Sequence, residues 1–452
     1  MKIIIVGCGK VGTTLTKQLS LEHHDITVID KNSDAISDIM NEYDVMGVVG
    51  NGASYSVQKE AGIDETDLLI AVTHSDELNL LCCLMGKKAG NANTIARVRD
   101  PLYSKEVNYL KEELGLSMTI NPEYAAATEI ARILRFPSAN KIDTFAKGRV
   151  EILNFVIAEN SILADKTLID VSKSIKADVL ICAVQRGDDV FIPNGKFILR
   201  AMDKVSIVAS PLNAKEFFNK IGYDTHQVKD TMIVGGGMIG YYLAEQLIKM
   251  GISVKIIERD KERCEELSEL LPKATIIHGD ATNQDILIEE GITRCDSFVS
   301  LTGIDEGNIF LSLFAENCSS GKVITKINRI TFDDIITTFN LGSLIYPKKI
   351  TAEYIIRYVR AMQNTVGSNV ETLYQLIENK VEALEFVIQN HSPIIGIPLQ
   401  ELTLKRNLLI GGINRRGKII IPNGQTTIEV GDSVVVITSQ KGLNDINDIF
   451  QE

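Results

Sequence analysis

The chain has no tryptophan, only six histidines and ten prolines, and no Cys-x-x-Cys pair. It has no apolar run near the ~20 residues that a membrane-spanning helix requires. It also lacks an excess of positive charge: 47 Lys and Arg stand against 59 Asp and Glu, a formal charge of −12. Each absence excludes something. Without His and Cys at ligand spacing there is no basis for a metal centre. An acidic chain is a poor partner for nucleic acid or for anionic lipid, so neither phosphate-backbone binding nor direct lipid insertion is expected. Met1 to Ile5 opens like a signal peptide, but the apolar run stops at Gly7, too soon for a hydrophobic region. The seven cysteines (Cys8, Cys82, Cys83, Cys182, Cys264, Cys295, Cys318) are odd in number and scattered. That pattern suits a reducing cytoplasm and structural, buried thiols.

What is present begins at once. The apolar run Ile3-Ile4-Ile5-Val6 ends in Gly7-Cys8-Gly9-Lys10-Val11-Gly12, and a helix-like segment, Thr13 to Leu21, follows. A second apolar run, Ile26 to Ile29, closes at Asp30. Strand, tight glycine turn, helix and acid-ended strand together form a dinucleotide cradle. Gly7 makes the turn, Gly9 lets the backbone approach a pyrophosphate, and Gly12 lets helix and strand pack closely. The helix N-terminus offers N–H groups and a positive dipole end to phosphate. The Asp30 carboxylate takes the ribose hydroxyls.

The same stretch recurs. Gly235-Gly236-Gly237-Met238-Ile239-Gly240 repeats the turn, and Glu258 repeats the acid, each 228 positions after its counterpart. The chain is therefore a tandem duplication. Further along, Leu68 to Val72 is a strand ending in Thr73-His74-Ser75-Asp76-Glu77-Leu78-Asn79, and the whole segment is answered by Ser297 to Asn308 at an offset of 229. The acidic pair Asp76/Glu77 is expected to be a solvated cap of the following helix rather than a metal site, with its repetition in the second half keeping a functional contact open. Strands alternating with helices predict an α/β fold with two doubly wound parallel sheets. After each sheet a crossover helix is expected, Pro122 to Phe136 and Pro347 to Met362, with core burial and docking on a partner lobe both open. Then the period turns to that of strands. Val150 to Ile157, Val179 to Val184, Val190 to Gly195 and Asp203 to Ala209 form a small α+β lobe, repeated by Leu409 to Ile437. The resulting domains are 1–136, 137–226, 229–365 and 366–452, with the junction between halves at 224–229.

In this order the chain resembles the TrkA family, the cytoplasmic regulatory subunits of bacterial Trk potassium-uptake systems, built from regulator-of-potassium-conductance domains. The glycine turns, the two ribose acids, Asp76 to Asn79 with Asp305 to Asn308, Arg97-Val98-Arg99 and the Pro-Asn-Gly turns at 193 and 422 carry the resemblance. It implies nucleotide binding without catalysis, with NAD(H) as cofactor and ATP or ADP as competitors. It also implies a homotetramer, peripheral to the inner face of the cytoplasmic membrane, partnered with an integral-membrane Trk-type potassium transporter. By the same resemblance Thr73 and His74 line the ligand and Arg99 offers charge to phosphate. The second half departs at Asp280, where the first has Gly52, and at Asn328, where the first has Arg99, with Lys326 and Arg329 nearby.

The competing reading is an NAD-dependent oxidoreductase. It needs an acid/base beside the nicotinamide. Only His74 lies at a ligand edge. His23, His24, His226, His278 and His391 fall elsewhere, and the second copy has Gly303 at the His74 position.

Overall fold

The computed structural model describes residues 1–101, 103, 106–135, 141–145, 150–223, 228–328, 339, 341–365, 370–377, 380–389, 392–440, 443 and 445–451. Arg329, Phe136, His226, His391 and most of the 224–229 junction lie outside the described residues. The chain forms two compact units. One combines Met1–Ala131 with Lys229–Ile356, the other Arg132–Val228 with Arg357–Glu452. Each unit thus joins corresponding parts of the two halves.

In the first unit the first sheet comprises β1 (Lys2–Val6), β2 (Asp25–Asp30), β3 (Met46–Val49), β4 (Leu68–Ala71), β5 (Asn93–Arg97) and β6 (Met118–Ile120), in the order β3-β2-β1-β4-β5-β6. All pairs are parallel. The helices α1 (Lys10–Leu21), α2 (Ser33–Glu42), α3 (Tyr55–Glu60), α4 (Asp76–Gly90), α5 (Val107–Leu114) and α6 (Pro122–Arg135) connect or follow them. Strands covered on both faces need continuous apolar side chains. Accordingly Ile3, Ile4, Ile5, Leu68, Leu69 and Ile70 are all essentially inaccessible. Val6 lies opposite Ile29 on one side and Ala71 on the other, so the strand order reverses at β1. A crevice opens at the carboxyl ends of strands at such a switch point, and that is where open α/β sheets bind ligands.

Helix α4 starts at Asp76, within the polar segment that follows β4. The Ser75 side chain caps it, accepting from the Leu78 N–H at 3.1 Å. Asn121 caps α6 in the same way through Tyr124 N–H at 2.8 Å, and Pro122 takes the first helical position, where a missing N–H costs nothing.

The second half repeats the layout. Strands β12 (Asp230–Val234), β13 (Ser253–Glu258), β14 (Thr275–His278), β15 (Ser297–Ser300), β16 (Lys322–Lys326) and β17 (Ser343–Ile345) follow the order β14-β13-β12-β15-β16-β17. They come after the strands of the first small lobe, β7 (Lys141–Phe145), β8 (Val150–Val156), β9 (Val179–Arg186), β10 (Asp189–Phe191) and β11 (Lys204–Ala209), and that lobe's helices α7 (Leu168–Ile175) and α8 (Pro211–Lys220). The second half's helices are α9 (Met238–Lys249), α10 (Lys261–Leu270), α11 (Gln284–Glu289), α12 (Asp305–Cys318) and α13 (Pro347–Thr365). Helix α13 runs three residues beyond the Met362 expected.

The second unit holds two antiparallel sheets. The first follows the order β10-β9-β11-β8-β7. The second has β18 (Val370–Ile377), β19 (Val381–Val387), β20 (Leu408–Arg415), β21 (Lys418–Ile420) and β22 (Ser433–Thr438), in the order β18-β19-β22-β20-β21. The two sheets share one apolar core: Ile152, Cys182 and Val208 from the first pack with Ala383, Val435 and Ile437 from the second. Strands β7 and β18 were not expected from sequence. The lobes also differ: α7 and α8 of the first are answered by single 3-10 turns, Leu399–Glu401 and Ile446–Ile449, in the second.

The cysteines depart from expectation at two positions. Cys82, Cys83, Cys182, Cys264 and Cys295 are buried, but Cys8 and Cys318 are only half-buried. Cys8 is drawn outward because it sits in the glycine turn itself.

Candidate functional site

Each parallel sheet carries the same arrangement at its switch point. Gly7 has φ +106°, a conformation that favours glycine, and its N–H donates to Ile29 O at 2.8 Å. Gly235 has the same φ and donates to Ile257 O at 3.0 Å. A Cβ on Gly12 would stand 1.8 Å from Gly7 O, and one on Gly240 would stand 2.3 Å from Gly235 O. These contacts explain why the third glycine of each turn carries no side chain.

The middle glycines are different. A Cβ on Gly237 meets nothing within 4 Å, and one on Gly9 meets only the His74 ring, at 3.8 Å. Open space therefore lies over the backbone at both. Gly9 and Gly237 are the N-caps of α1 and α9, and neither helix has a side-chain cap or an acid in its first turn. By contrast Asn32 and Asp260 cap α2 and α10. The N–H groups of Lys10, Val11, Met238 and Ile239 lie in first turns, which have no partner within their own helix. They face space that an anion can enter.

The acids close the arrangement. Asp30 Oδ2 accepts from Cys8 N–H at 2.7 Å and Oδ1 from Asn32 N–H at 2.9 Å. Glu258 Oε2 accepts from Gly236 N–H at 2.7 Å and Oε1 from Asp260 N–H at 2.9 Å. Each carboxylate is thus fixed to its glycine turn, with lone pairs left for further donors. Burial and the Asp30 charge push the Cys8 thiol up to about 12, so it is a neutral thiol and not a nucleophilic thiolate.

The far wall is built by Thr73 and its copy Thr302. Thr73 N–H and Oγ1 both donate to Asn79 Oδ1, at 2.8 and 2.7 Å, and Asn79 Nδ2 donates to Arg97 O at 2.9 Å. In the copy, Thr302 N–H and Oγ1 donate to Asn308 Oδ1 at 2.8 and 2.7 Å, and Asn308 Nδ2 donates to Lys326 O at 3.0 Å. Both asparagines are fully buried. Each ties the ends of two adjacent strands together.

Asp76 is not a solvated cap. It is 6 % exposed, and its Oδ2 accepts from the N–H groups of Arg99 and Asp100 at 2.7 and 2.8 Å. Glu77 is the exposed member and accepts from Ser75 Oγ and Tyr103 OH. The copy of Asp76, Asp305, accepts from Asn328 N–H and Nδ2 at 2.9 and 3.0 Å. Arg99 reaches back to His74 O at 2.7 Å, and its side chain remains partly exposed at the edge of the crevice.

The two sites are not equal. Arg263 Nε donates to Gly236 O at 2.7 Å, an arginine under the second turn. The corresponding position of the first half is Ala35. Lys326 is buried and donates to Leu301 O at 3.0 Å. Burial lowers its pKa, opposed by Asp305 and by Glu123 of the other half. Glu123 also pairs with Arg97 at 3.3 Å. Asp280 turns onto its own loop, accepting from Thr282 N–H and Oγ1 at 2.9 and 2.8 Å.

The structure therefore brings Gly7 to Gly12, Asp30, Thr73, His74 and Arg99 to one crevice, and Gly235 to Gly240 and Glu258 to another. Asn79 and Asn308 were visible in the sequence only as repeated letters. Repetition at a fixed offset was the signal for them. Arg263 and Glu123 have no repeated signal.

The TrkA-N domain model matches residues 3–122 and again 231–347, and the TrkA-C domain model matches 152–222 and 383–451. The chain belongs to the TrkA family. Among TrkA relatives it is 32 % identical over 451 residues to a "Trk system potassium uptake protein TrkA homolog" of Archaeoglobus fulgidus, covering 100 % of both chains. It is 32 % identical over 456 residues to the "Trk system potassium uptake protein TrkA" of Haemophilus influenzae, covering 100 % of this chain and 99 % of that one. The TrkA-type fold is similar to that of a solved structure described as "GsuK channel bound to NAD", with TM-score 0.64 and 18 % identity over 97 % of this chain and 77 % of that one.

Proposed function

We propose that the chain is a nucleotide-binding regulatory subunit of a Trk-type potassium-uptake system. Each half holds an adenine dinucleotide, NAD(H) in preference to its 2′-phosphorylated relative, with ATP and ADP as competitors. The observation that carries this reading is the duplicated bond between ribose acid and glycine turn, Asp30 to Cys8 N–H and Glu258 to Gly236 N–H. Full-length membership of the TrkA family supports the potassium-uptake part.

In this reading the turns at Gly7 to Gly12 and Gly235 to Gly240 hold the phosphates. Asp30 and Glu258 hold the ribose and repel a 2′-phosphate. Thr73, His74 and Arg99 line the remainder of the first site. A bound dinucleotide is a regulatory ligand here. His74 makes no side-chain hydrogen bond or ion pair among the described residues, and its copy is Gly303. The partner is an integral-membrane Trk-type transporter, and the subunit assembles as a homotetramer at the inner face of the cytoplasmic membrane. Among the described residues no helix is long and apolar enough to cross a membrane, so attachment runs through protein. The four domains bounded at 1–136, 137–226, 229–365 and 366–452 serve as two nucleotide sensors and two small lobes.

Regulation follows from differential affinity. A ligand moves a two-state equilibrium only as far as it binds the two states differently. Moving it from 1:99 to 99:1 takes ~5.5 kcal/mol. Two sites per chain, repeated around an oligomer, divide that requirement among many.

Calorimetry tests the binding claim. NADH should saturate two sites per chain, and NADPH should bind both more weakly. No binding, or tighter binding of NADPH, contradicts it.

A further inference from the structure

We propose that Tyr242, carried by the second nucleotide-binding domain, is a positioning residue of the first site, and that it lets the first site read the occupancy of the second. The inference rests on the nucleotide reading above. Tyr242 lies on α9, the helix that opens at the second glycine turn, five residues after Gly237. It is 4 % exposed. Its hydroxyl donates to Arg99 O at 2.9 Å and accepts from Asn121 Nδ2 at 3.0 Å. Asn121 Nδ2 also reaches Arg99 O, at 3.2 Å. One hydroxyl on the helix that starts at the second site thus meets two elements of the first domain: the chain beyond β5 at the edge of the first site, and the cap of crossover helix α6.

Arg99 is held from both sides. Its N–H is bound by Asp76 within the first domain, and its carbonyl is bound by Tyr242 from the second. Its guanidinium lies on His74 O beside the first glycine turn. A shift of the Tyr242 hydroxyl therefore moves a backbone whose side chain faces the first ligand. The contact is also stiff. The Tyr242 and Tyr124 rings meet edge to face with centroids 5.4 Å apart, and one turn along Gln246 Nε2 donates to Thr128 Oγ1 at 3.2 Å. A ligand that engages the N–H groups at the start of α9 biases the position of that helix as a unit. Tyr242 is then the point at which the bias enters the first domain.

Among the described residues the relay is not repeated at the corresponding position of the first half. The position of α1 that corresponds to Tyr242 is Thr14, whose hydroxyl donates to Lys10 O of its own helix at 2.8 Å. The energetic coupling is nonetheless mutual, because linkage between two ligands is reciprocal.

The experiment is calorimetric titration of the full chain with NADH. The first-site event is the one that Gly9→Asp removes. With Tyr242 present, closing the second site by Gly237→Asp should change first-site affinity by about fivefold or more. With Tyr242→Phe, which keeps the ring and its packing on Tyr124, the same closure should leave first-site affinity unchanged. Gln246→Ala loosens the same interface without touching Arg99 and should retain the shift. An equal shift with Tyr and Phe, no shift with Tyr, or loss of the shift in both variants overturns the proposal. Absence of NADH binding by the unsubstituted chain overturns the nucleotide reading, and the relay with it.

Discussion

Asp30 Oδ2 stands 2.7 Å from the backbone nitrogen of Cys8. The residue that would select the ribose is thereby locked to the turn that would hold the phosphates, and the spacing between the two subsites is set by the protein before any ligand arrives. A hydrogen bond to a charged group contributes about 1.5–3 kcal/mol.

Asp30→Asn keeps an acceptor for Cys8 N–H but removes the charge. First-site affinity for NADH should fall by about tenfold or more, and the penalty against NADPH should shrink because the carboxylate no longer repels its extra phosphate. Glu258→Gln should do the same at the second site. Competition titrations of the two nucleotides measure this, and an unchanged preference ratio in both variants counts against the assignment of the two acids.

The three glycines of each turn should respond differently to substitution. Gly12→Ala and Gly240→Ala place a methyl within 1.8 and 2.3 Å of a carbonyl oxygen and should lower stability by about 1–3 kcal/mol or more. Gly9→Asp and Gly237→Asp point into open space and should leave the melting temperature near that of the parent while abolishing nucleotide binding at the substituted site. Thermal unfolding beside calorimetry separates the two classes. A Gly12→Ala protein as stable as its parent contradicts the packing argument.

Asn79→Ala removes a fully buried side chain that accepts from Thr73 N–H and Oγ1 and donates to Arg97 O. Each buried group left unsatisfied costs about 1–3 kcal/mol. A clear fall in melting temperature is expected, together with loss of the first-site event and retention of the second. Asn308→Ala should give the converse pattern. Equal weakening of both sites by either variant argues against two separately braced crevices.

The Cys8 thiol is held up to about 12 by burial and by the Asp30 charge, so near neutral pH it stays protonated. Its alkylation by iodoacetamide should be slow at about pH 8, since only thiolate reacts. Asp30→Asn removes the charge that disfavours the thiolate, lowers the pKa and should accelerate alkylation. Peptide mass spectrometry reads Cys8 separately from the other thiols. A rate that falls, or does not change, contradicts the stated cause.

Much of the fold was legible because duplication doubles every signal. A lone Gly-x-Gly-x-x-Gly is a loop that chance can write; the same turn followed by an acid at the same distance, twice, is not. Apolar runs such as Ile3 to Val6 and Leu68 to Ala71 announce strands covered on both faces. Strands β7 and β18 were not legible, because the apolar residues of Lys141 to Phe145 and Val370 to Ile377 do not alternate with period two: Val370, Leu373, Tyr374, Leu376 and Ile377 fall closer to helical spacing. The burial of Asp76 is hidden in the sequence for a different reason. An acid beside another acid at a helix start has the composition of a solvated cap, and only the approach of the Arg99 and Asp100 backbone, more than twenty residues later, buries it. Tyr242 was invisible as well, since its partners Arg99 and Asn121 lie in the other half of the chain and its own counterpart, Thr14, does something else.

The central claim is that two nucleotide sites in each chain bias one equilibrium that governs potassium uptake. Potassium flux into vesicles carrying the integral-membrane Trk-type partner, with the subunit added in the presence and absence of nucleotide, tests it most directly. Gly9→Asp or Gly237→Asp alone should reduce the nucleotide response, and the double variant should abolish it while the subunit still assembles. A full flux response in the double variant, with loss of nucleotide binding confirmed on the same sample, would contradict the account.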